Sequence, residues 1–403
     1  MPGVIDLFSP TSFAAGHPVE AYAWLREHDP VHWHEEPDGP GFWAVTRHED
    51  VKFVGRNGAL FSSSPTIMIS DGEGGMDVGD HTMMLTMDAP RHTSYRHVVA
   101  PRFLRSAAGR MRPRIEQLAA EIVDGVADRD EFDLVEDVAG LLPSYVVAEL
   151  LGIPREDGVE LYRLTETIHA APGSRPEGAA LGAVLEMFNY ARGVWEEKRA
   201  RPGDDLASAL VSAEVDGHPL DAIDFNLFFL LLVDAGGDTT RNLVAGGMDA
   251  LFEHPEERAR LVADLDRVPT AIEEMLRWTS PVVYMRRTAT ADTELCGRPI
   301  RAGQKVVMYY GAANRDPAVF EEPERFDVTR TPNDHVAFGG GGPHFCLGAH
   351  IARIEIDAMF RQLLTRLPDL EKAGDTEWLP STFISGPKHM RVRRGSDVPT
   401  PQL

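Results

Sequence analysis

Residues 335–356 read HVAFGGGGPHFCLGAHIARIEI: four successive glycines, a cysteine at 346, and then the apolar spacing of an amphipathic helix. Glycine loses more conformational freedom on folding than any other residue, so a run of four implies a backbone requirement that other residues do not meet. The chain holds one other cysteine, Cys296. Cys346 is a nucleophile, a metal ligand or a buried bystander, and its surroundings have to decide which. A catalytic thiol needs a histidine base and an orienting group. His344 is near, but neighbours two apart in a glycine loop are not how such dyads are assembled. Zinc needs three or four ligands, and no CxxC pair is present.

The totals narrow the class. At 403 residues the length favours two or three domains, but no repeat, low-complexity tract or Gly/Ser linker divides the chain. The expectation is therefore one domain over residues 1–403. The formal charge of -23 argues against a general nucleic-acid binder or an anchor on anionic membrane. Two cysteines far apart do not make a disulfide framework and suit a reducing cytoplasm. The N-terminus lacks a basic segment followed by an apolar core, so no secretory signal is expected. The longest apolar run, LFFLLLV at 227–233, is too short to span a bilayer. A soluble cytoplasmic protein is expected.

Helical periodicity dominates, over 112–128, 136–152, 179–200, 221–254, 270–278 and 347–367. Strand-like pieces occur at 42–46, 305–310 and 389–394, and ELCGRPIRAGQ (294–304) reads as a hairpin. The expected fold is mainly α with a minor β region. Residues 62–90 lack sustained periodicity of either kind, which inside a compact protein marks a lid or binding loop. The methionines of that stretch, Met68, Met83, Met84 and Met87, suit an apolar ligand. Between Ala89 and Ile115 lie seven arginines, two histidines and no acid, a basic segment in an acidic chain. It should meet an anionic group or an acidic protein, unless it is merely a solvated helix face.

The stretch from Asp221 to His254 reads as one long helix whose start resembles a capping box, with Asp224 three residues in. Its middle is AGGDTT. Two adjacent glycines cost a helix roughly 1 kcal/mol each against alanine and suggest close approach by a bulky group. Thr239 can turn its hydroxyl back to the carbonyl four residues earlier, opening a groove faced by an acid and an alcohol. In AIEEMLRWTSP, Glu274 and Arg277 share one helical face. For Cys346 a further option now fits: a single thiolate ligand to haem iron, where the porphyrin supplies the other in-plane ligands. The following helix places its positive end near such a thiolate.

Taken together these stretches resemble the cytochrome P450 haem-thiolate monooxygenases, and the likeness runs through nearly the whole chain. FGGGGPHFCLG is similar to the family's cysteine loop, AGGDTT to its distal helix motif and EMLR to its Glu-x-x-Arg. The loop is one residue longer than the commonest form, as in bacterial steroid and methyl-branched-lipid hydroxylases. The resemblance implies a P450 fold with haem b held between the long distal helix and the cysteine-loop helix, and Cys346 as iron ligand. It implies that His92, Arg96, Arg287 and His344 meet the haem carboxylates. It implies that Asp238 and Thr239 deliver protons during dioxygen activation, and that Glu274, Arg277 and Arg325 form a buried charged triad.

The implied reaction inserts one oxygen atom of dioxygen into a C–H bond of an apolar substrate. A cavity lined by Ile67, Met84, Val233, Gly236, Val282, Val283 and Phe383 would take a steroid, terpenoid or branched lipid. Electrons would come from an acidic ferredoxin and its reductase, docking near Arg102, Arg105, Arg110, Arg112 and Arg114. Competing readings are a P450 that tailors a macrolide or carrier-bound intermediate, a non-oxygenating or peroxide-using haem protein, and a cysteine hydrolase.

Overall fold

The computed structural model describes residues 5–71, 78–170 and 175–395. Along the chain, helices α1 (Val19–His28), α2 (His48–Arg56), α3 (Arg91–Val99), α4 (Arg105–Asp124) and α5 (Leu141–Leu151) come first. They are followed by α6 (Arg155–His169), α7 (Ala179–Ala200), α8 (Leu206–Val211) and α9 (Ala222–Glu253). The last are α10 (Pro255–Ala263), α11 (Val268–Thr279), the single turn α12 (Tyr310–Ala313) and α13 (Ala349–Arg366). A π-turn at Val135–Ala139 precedes α5. Helices predominate and strands are short, as the periodicity predicts.

Helix α9 is the axis of the molecule. At 1.5 Å per residue its 32 residues extend about 48 Å. The capping box forms as expected: Asp221 accepts from the N–H groups of Ile223 and Asp224, and Asp224 accepts from that of Asp221. Helices α5, α6, α7, α11 and α13 pack around it, and its Phe225, Phe229, Leu243 and Leu251 are fully or almost fully buried. The adjacent glycines of α9 are explained by these crossings. A Cβ at Gly236 would lie 2.5 Å from Val147 of α5, and one at Gly237 would lie 2.8 Å from the Tyr162 ring. The bulky groups inferred from the sequence are thus two neighbouring helices.

A five-stranded sheet takes the strands in the order Val31–His34, Phe42–Val45, Lys305–Tyr309, Tyr284–Ala289 and Phe61–Ser62. All neighbours are antiparallel except Phe42–Val45 with Lys305–Tyr309. Its strand Tyr284–Ala289 carries Arg287 in register with Val306. The hairpin expected at 294–304 is present as Thr293–Leu295 paired with Arg298–Ile300.

Two differences from the sequence expectation have physical causes. The helix expected from residue 112 starts at Arg105, because Pro113 lies inside α4 instead of opening it. Helix α6 was not anticipated. Its Gly158, which weakens the periodic signal, is there because a Cβ would strike the Ser144 carbonyl of α5 at 2.7 Å.

The charged triad is corrected. Glu274 and Arg277 are fully buried and joined by two hydrogen bonds of 2.8 Å. The third member is Arg330, whose Nε donates to Glu274 at 3.0 Å. Arg325 is half exposed and pairs with Glu322. Only its backbone carbonyl joins the network, accepting from Arg277 and Arg330. Asn333 and the Asp327 N–H complete the hydrogen bonds to Glu274, so the charge is fully solvated by protein groups.

Candidate active site

The cysteine loop is fixed from two sides. Gly339, Gly341 and Gly342 have φ near +95°, +94° and +81°, a region that only glycine enters without strain. A Cβ on Gly340 would sit 2.8 Å from the Val51 carbonyl of α2. The four glycines therefore serve backbone turns and close packing on α2. The N–H groups that reach the sulfur come from Gly348 and Ala349, beyond the cysteine. Helix α13 has no side-chain cap at its start, so the Cys346 sulfur occupies the position of an acceptor at its positive end. The Cys346 N–H donates to the Phe338 carbonyl at 3.0 Å, closing the loop. Arg353 of α13 lies over the Phe338 ring and bonds Glu273 of α11 twice, at 2.6 and 2.7 Å. Although burial works against the charge, Arg353 and His335 draw the Glu273 carboxyl down to about 2, so this tie is ionised at neutral pH.

One cavity is lined by Cys346 on its floor loop, by the middle of α9, and by basic residues at one edge. Those basic residues are His92 and Arg96 of α3, Arg287 and His344, all four predicted from the sequence. The His92 and His344 rings lie 4.0 Å apart, and His344 bonds the Ser63 hydroxyl at 3.0 Å. Arg96 donates to the Phe345 carbonyl, and Arg287 to the carbonyl of Arg286. Among the described residues none of the four is paired with a carboxylate. Burial, reinforced by the neighbouring arginines, pushes His92 down to about 4 and His344 down to about 3, so both rings are neutral at pH 7. Burial lowers Arg96 and Arg287 as well.

Above the cysteine, Thr239 donates from Oγ1 to the Ala235 carbonyl at 3.1 Å, the back-bond expected from its place four residues on. Asp238 is buried. Burial and the nearby Asp234 raise its carboxyl to about 6, against the pull of His169 and Arg241. Arg241, almost wholly buried, lies 3.9 Å from Asp238, contacts the Tyr162 hydroxyl, and bonds Glu166 at 2.7 Å. Glu166 is one-third exposed, so a continuous polar chain runs from solvent to Asp238.

Of the seven predicted cavity residues, Met84, Gly236, Val282 and Phe383 line it. Ile67, Val233 and Val283 do not. Val233 is on the face of α9 that packs into the main core. Ile67 and Val283 lie in a second core cluster with Leu7 and Tyr309, and their backbones are spent on hydrogen bonds to Arg286 and Phe383. Of the stretch expected to form a lid, residues 72–77 lie outside the described residues. Met84 borders the cavity, whereas Met87 is in the core.

Sequence reasoning missed Val146, Val147 and Leu150 of α5, Leu243, Met285 and the buried Glu355 of α13, all cavity residues. It also missed His169 of α6 and Asp234 of α9, a charged pair inside an otherwise apolar wall. A charged residue inside the run LLLVDAGGD was the one available signal.

Arg287 is a buried cation and Arg96 a part-buried one, neither has a carboxylate partner among the described residues, and two neutral histidines stand beside them, so this edge calls for an anionic ligand. The apolar walls call for a flat or bulky apolar body, and the floor offers one sulfur, which is too few donors for zinc. Burial raises the Cys346 thiol, partly offset by the Gly348 N–H and by Arg96; a coordinated metal would hold it as thiolate. An iron porphyrin with two carboxylates meets all three demands. Fold and site together define a haem-thiolate protein.

Comparison with known proteins gives the family. The cytochrome P450 family model matches residues 183–380. The chain is 36% identical over 405 residues to the steroid C26-monooxygenase of Mycolicibacterium smegmatis, covering 97% of this chain and 94% of that one. It is 39% identical over 389 residues to the methyl-branched lipid omega-hydroxylase of Mycobacterium tuberculosis, covering 92% and 90%. The structure of Mycobacterium marinum cytochrome P450 CYP268A2 in complex with pseudoionone superposes with a TM-score of 0.91 at 39% identity, over 97% and 98% of the two chains. The chain belongs to the cytochrome P450 family and is a monooxygenase.

Proposed function

We propose that the protein binds haem b through Cys346 and hydroxylates a steroid, terpenoid or methyl-branched lipid with electrons from a ferredoxin. The observation that carries this is one cavity with Cys346 below, Asp238 and Thr239 above, and four carboxylate-free basic groups at its edge. The haem, when bound, supplies the reductive activation of dioxygen and the attack on C–H. His92, Arg96, Arg287 and His344 would hold its carboxylates. The names of the mycobacterial relatives support the substrate class, as do the walls formed by Met84, Leu231, Val282 and Phe383.

Asp238 is suited to move protons. With its carboxyl near 6 it exchanges a proton readily at neutral pH, and Arg241, Tyr162 and Glu166 join it to solvent. Thr239, one residue on, presents a hydroxyl to the cavity and can hold a proton donor in place. The whole chain would act as one domain, and its two cysteines are both free, in keeping with a reducing cytoplasm. Among the described residues no single helix is long and apolar enough to cross a membrane.

Not all of the arginines near the cysteine side are free to meet a ferredoxin. Arg112 is tied to Asp357 at 2.7 Å and Arg114 to Glu149 at 2.8 Å. Arg102 donates to the Asp204 carbonyl at 2.8 Å and lies 3.5 Å from its carboxylate. Arg105 and Arg110 are exposed and have no carboxylate partner among the described residues, and Arg105 directly follows exposed Leu104. Positive charge around an apolar contact suits a small, electrostatically steered encounter.

The deciding experiment is the spectrum of the reduced protein with carbon monoxide. The wild type should give the Soret position of a thiolate-ligated haem, and Cys346→Ser should abolish it. A colourless protein, or a signature that survives the substitution, overturns the assignment.

A further inference from the structure

His169 and Asp234 form a charged pair inside the apolar cavity, and beyond their opposing pulls on Asp238 no role described so far uses them. His169 closes α6, and Asp234 lies on α9 one turn before Asp238. The His169 Nε2 is 2.5 Å from an Asp234 carboxylate oxygen. Ligating atoms of His169, Asp234 and Asp238 all lie within 4.8 Å of one another. The imidazole also rests 6.0 Å from the ring of Phe383, another cavity residue. Leu231, Leu232 and Val282 supply apolar wall nearby.

Such a pair is a poor way to join two helices. Removing two charges from water costs several kcal/mol per ion, and apolar residues of similar size commonly do as well or better. Burial opposes the charged ring, but Asp234 outweighs it and raises His169 to about 9, so the imidazolium persists at neutral pH. The pairing uses one nitrogen of His169 and one oxygen of Asp234. The other N–H and the other oxygen have no partner among the described residues. The site therefore offers a carboxylate oxygen without a partner among the described residues, held in place by His169, in the wall of the cavity.

We infer that His169 and Asp234 are the subsite for a hydroxyl group on the substrate, which donates to the second oxygen of Asp234 while His169 holds that carboxylate in place. A hydroxyl satisfies that oxygen, and a hydrocarbon does not. A carboxylate would add a negative charge beside Asp234 and Asp238, so an apolar alcohol is preferred to the corresponding fatty acid. Asp234 precedes Thr239 by five residues, about 7.5 Å along the helix axis. The hydroxyl and the oxidised carbon therefore belong to one compact ligand but are separated by several bonds.

This inference rests on the proposed substrate class, and the test separates the two. Dissociation constants of the holoenzyme would be measured calorimetrically and from ligand-induced visible spectra. One probe pair is 5α-androstan-3β-ol and 5α-androstane. The second set is 3,7,11,15-tetramethylhexadecan-1-ol, its parent hydrocarbon and its carboxylic acid. The wild type should bind each alcohol at least tenfold more tightly than its hydrocarbon, and the branched alcohol more tightly than the acid. In the double variant His169→Leu/Asp234→Leu that preference should vanish while hydrocarbon binding is kept or improved. A preference absent from the wild type, unchanged in the double variant, or lost together with hydrocarbon binding overturns the subsite and leaves the substrate class standing. Failure of every probe to bind overturns the substrate class and the subsite with it.

Discussion

Arg330 Nε lies 3.0 Å from Oε2 of Glu274, on the carboxylate that Arg277 grips with two bonds. Arg330 also donates to the carbonyls of Glu321, Glu322 and Arg325, which ties this segment of chain to α11. Removing one partner of a buried, fully bonded charge typically costs about 3–5 kcal/mol. Arg330→Ala should therefore lower the urea midpoint of the holoprotein severely and release haem during purification. Arg325→Ala, at a half-exposed position, should stay within about 0.5 kcal/mol of wild type. Equal losses in the two variants would refute the assignment of the third partner.

The comparison of these two arginines shows what the sequence could and could not convey. Glu274 and Arg277 are three apart on one helix, so their contact is local and legible. Arg325 and Arg330 both lie in an irregular segment, where no period fixes which side chain turns inward, and the resemblance favoured the wrong one. The same limit holds in the cavity. Gly236, Asp238 and Thr239 were legible because α9 is long and regular, and Cys346 because four glycines mark its loop. Val147 and Leu150 were not, because nothing in the sequence of α5 states which of its apolar faces meets α9. The glycines at 236–237 and 339–342 mark close approach and a backbone requirement, but local sequence does not say that the first pair meets neighbouring helices or that the loop needs positive φ.

Thr239 and Asp238 have separable roles. Thr239 borders the cavity and is bonded to its own helix, so Thr239→Ala should leave haem content and the carbon monoxide spectrum intact. Product per NADPH consumed should fall severalfold while hydrogen peroxide rises. Asp238→Asn removes the titratable carboxyl at the cavity wall, and should slow turnover by about 10²-fold or more. Unchanged coupling in the first variant, or unchanged rate in the second, would exclude these roles.

The basic face offers a prediction with an internal control. Charge reversal at Arg105 and Arg110 should raise the KM for ferredoxin tenfold or more at low ionic strength and flatten its dependence on salt. Binding of an apolar ligand should not change. Arg114→Ala should act mainly on stability, because its guanidinium already bonds Glu149. If all three substitutions affected the KM alike, the docking surface would have to be redrawn.

Glu355 supplies a pH test of burial itself. It is 3% exposed on α13, and burial raises its carboxyl from 4.5 to about 8, against a hydrogen bond with Thr240. At neutral pH it is therefore protonated in the folded state and ionised in the unfolded chain. The sign follows: its contribution to stability is fully present below about pH 4.5 and is lost as pH rises toward 8. For one group the slope is at most about 1.4 kcal/mol per pH unit. Glu355→Gln keeps the shape and the capacity to bond Thr240 but cannot ionise. Urea unfolding of wild type and variant between pH 5 and 8 should show the variant gaining steadily on the wild type as pH rises. Parallel curves would mean that Glu355 is ionised in the native protein, and that a cation or a solvent path compensates it.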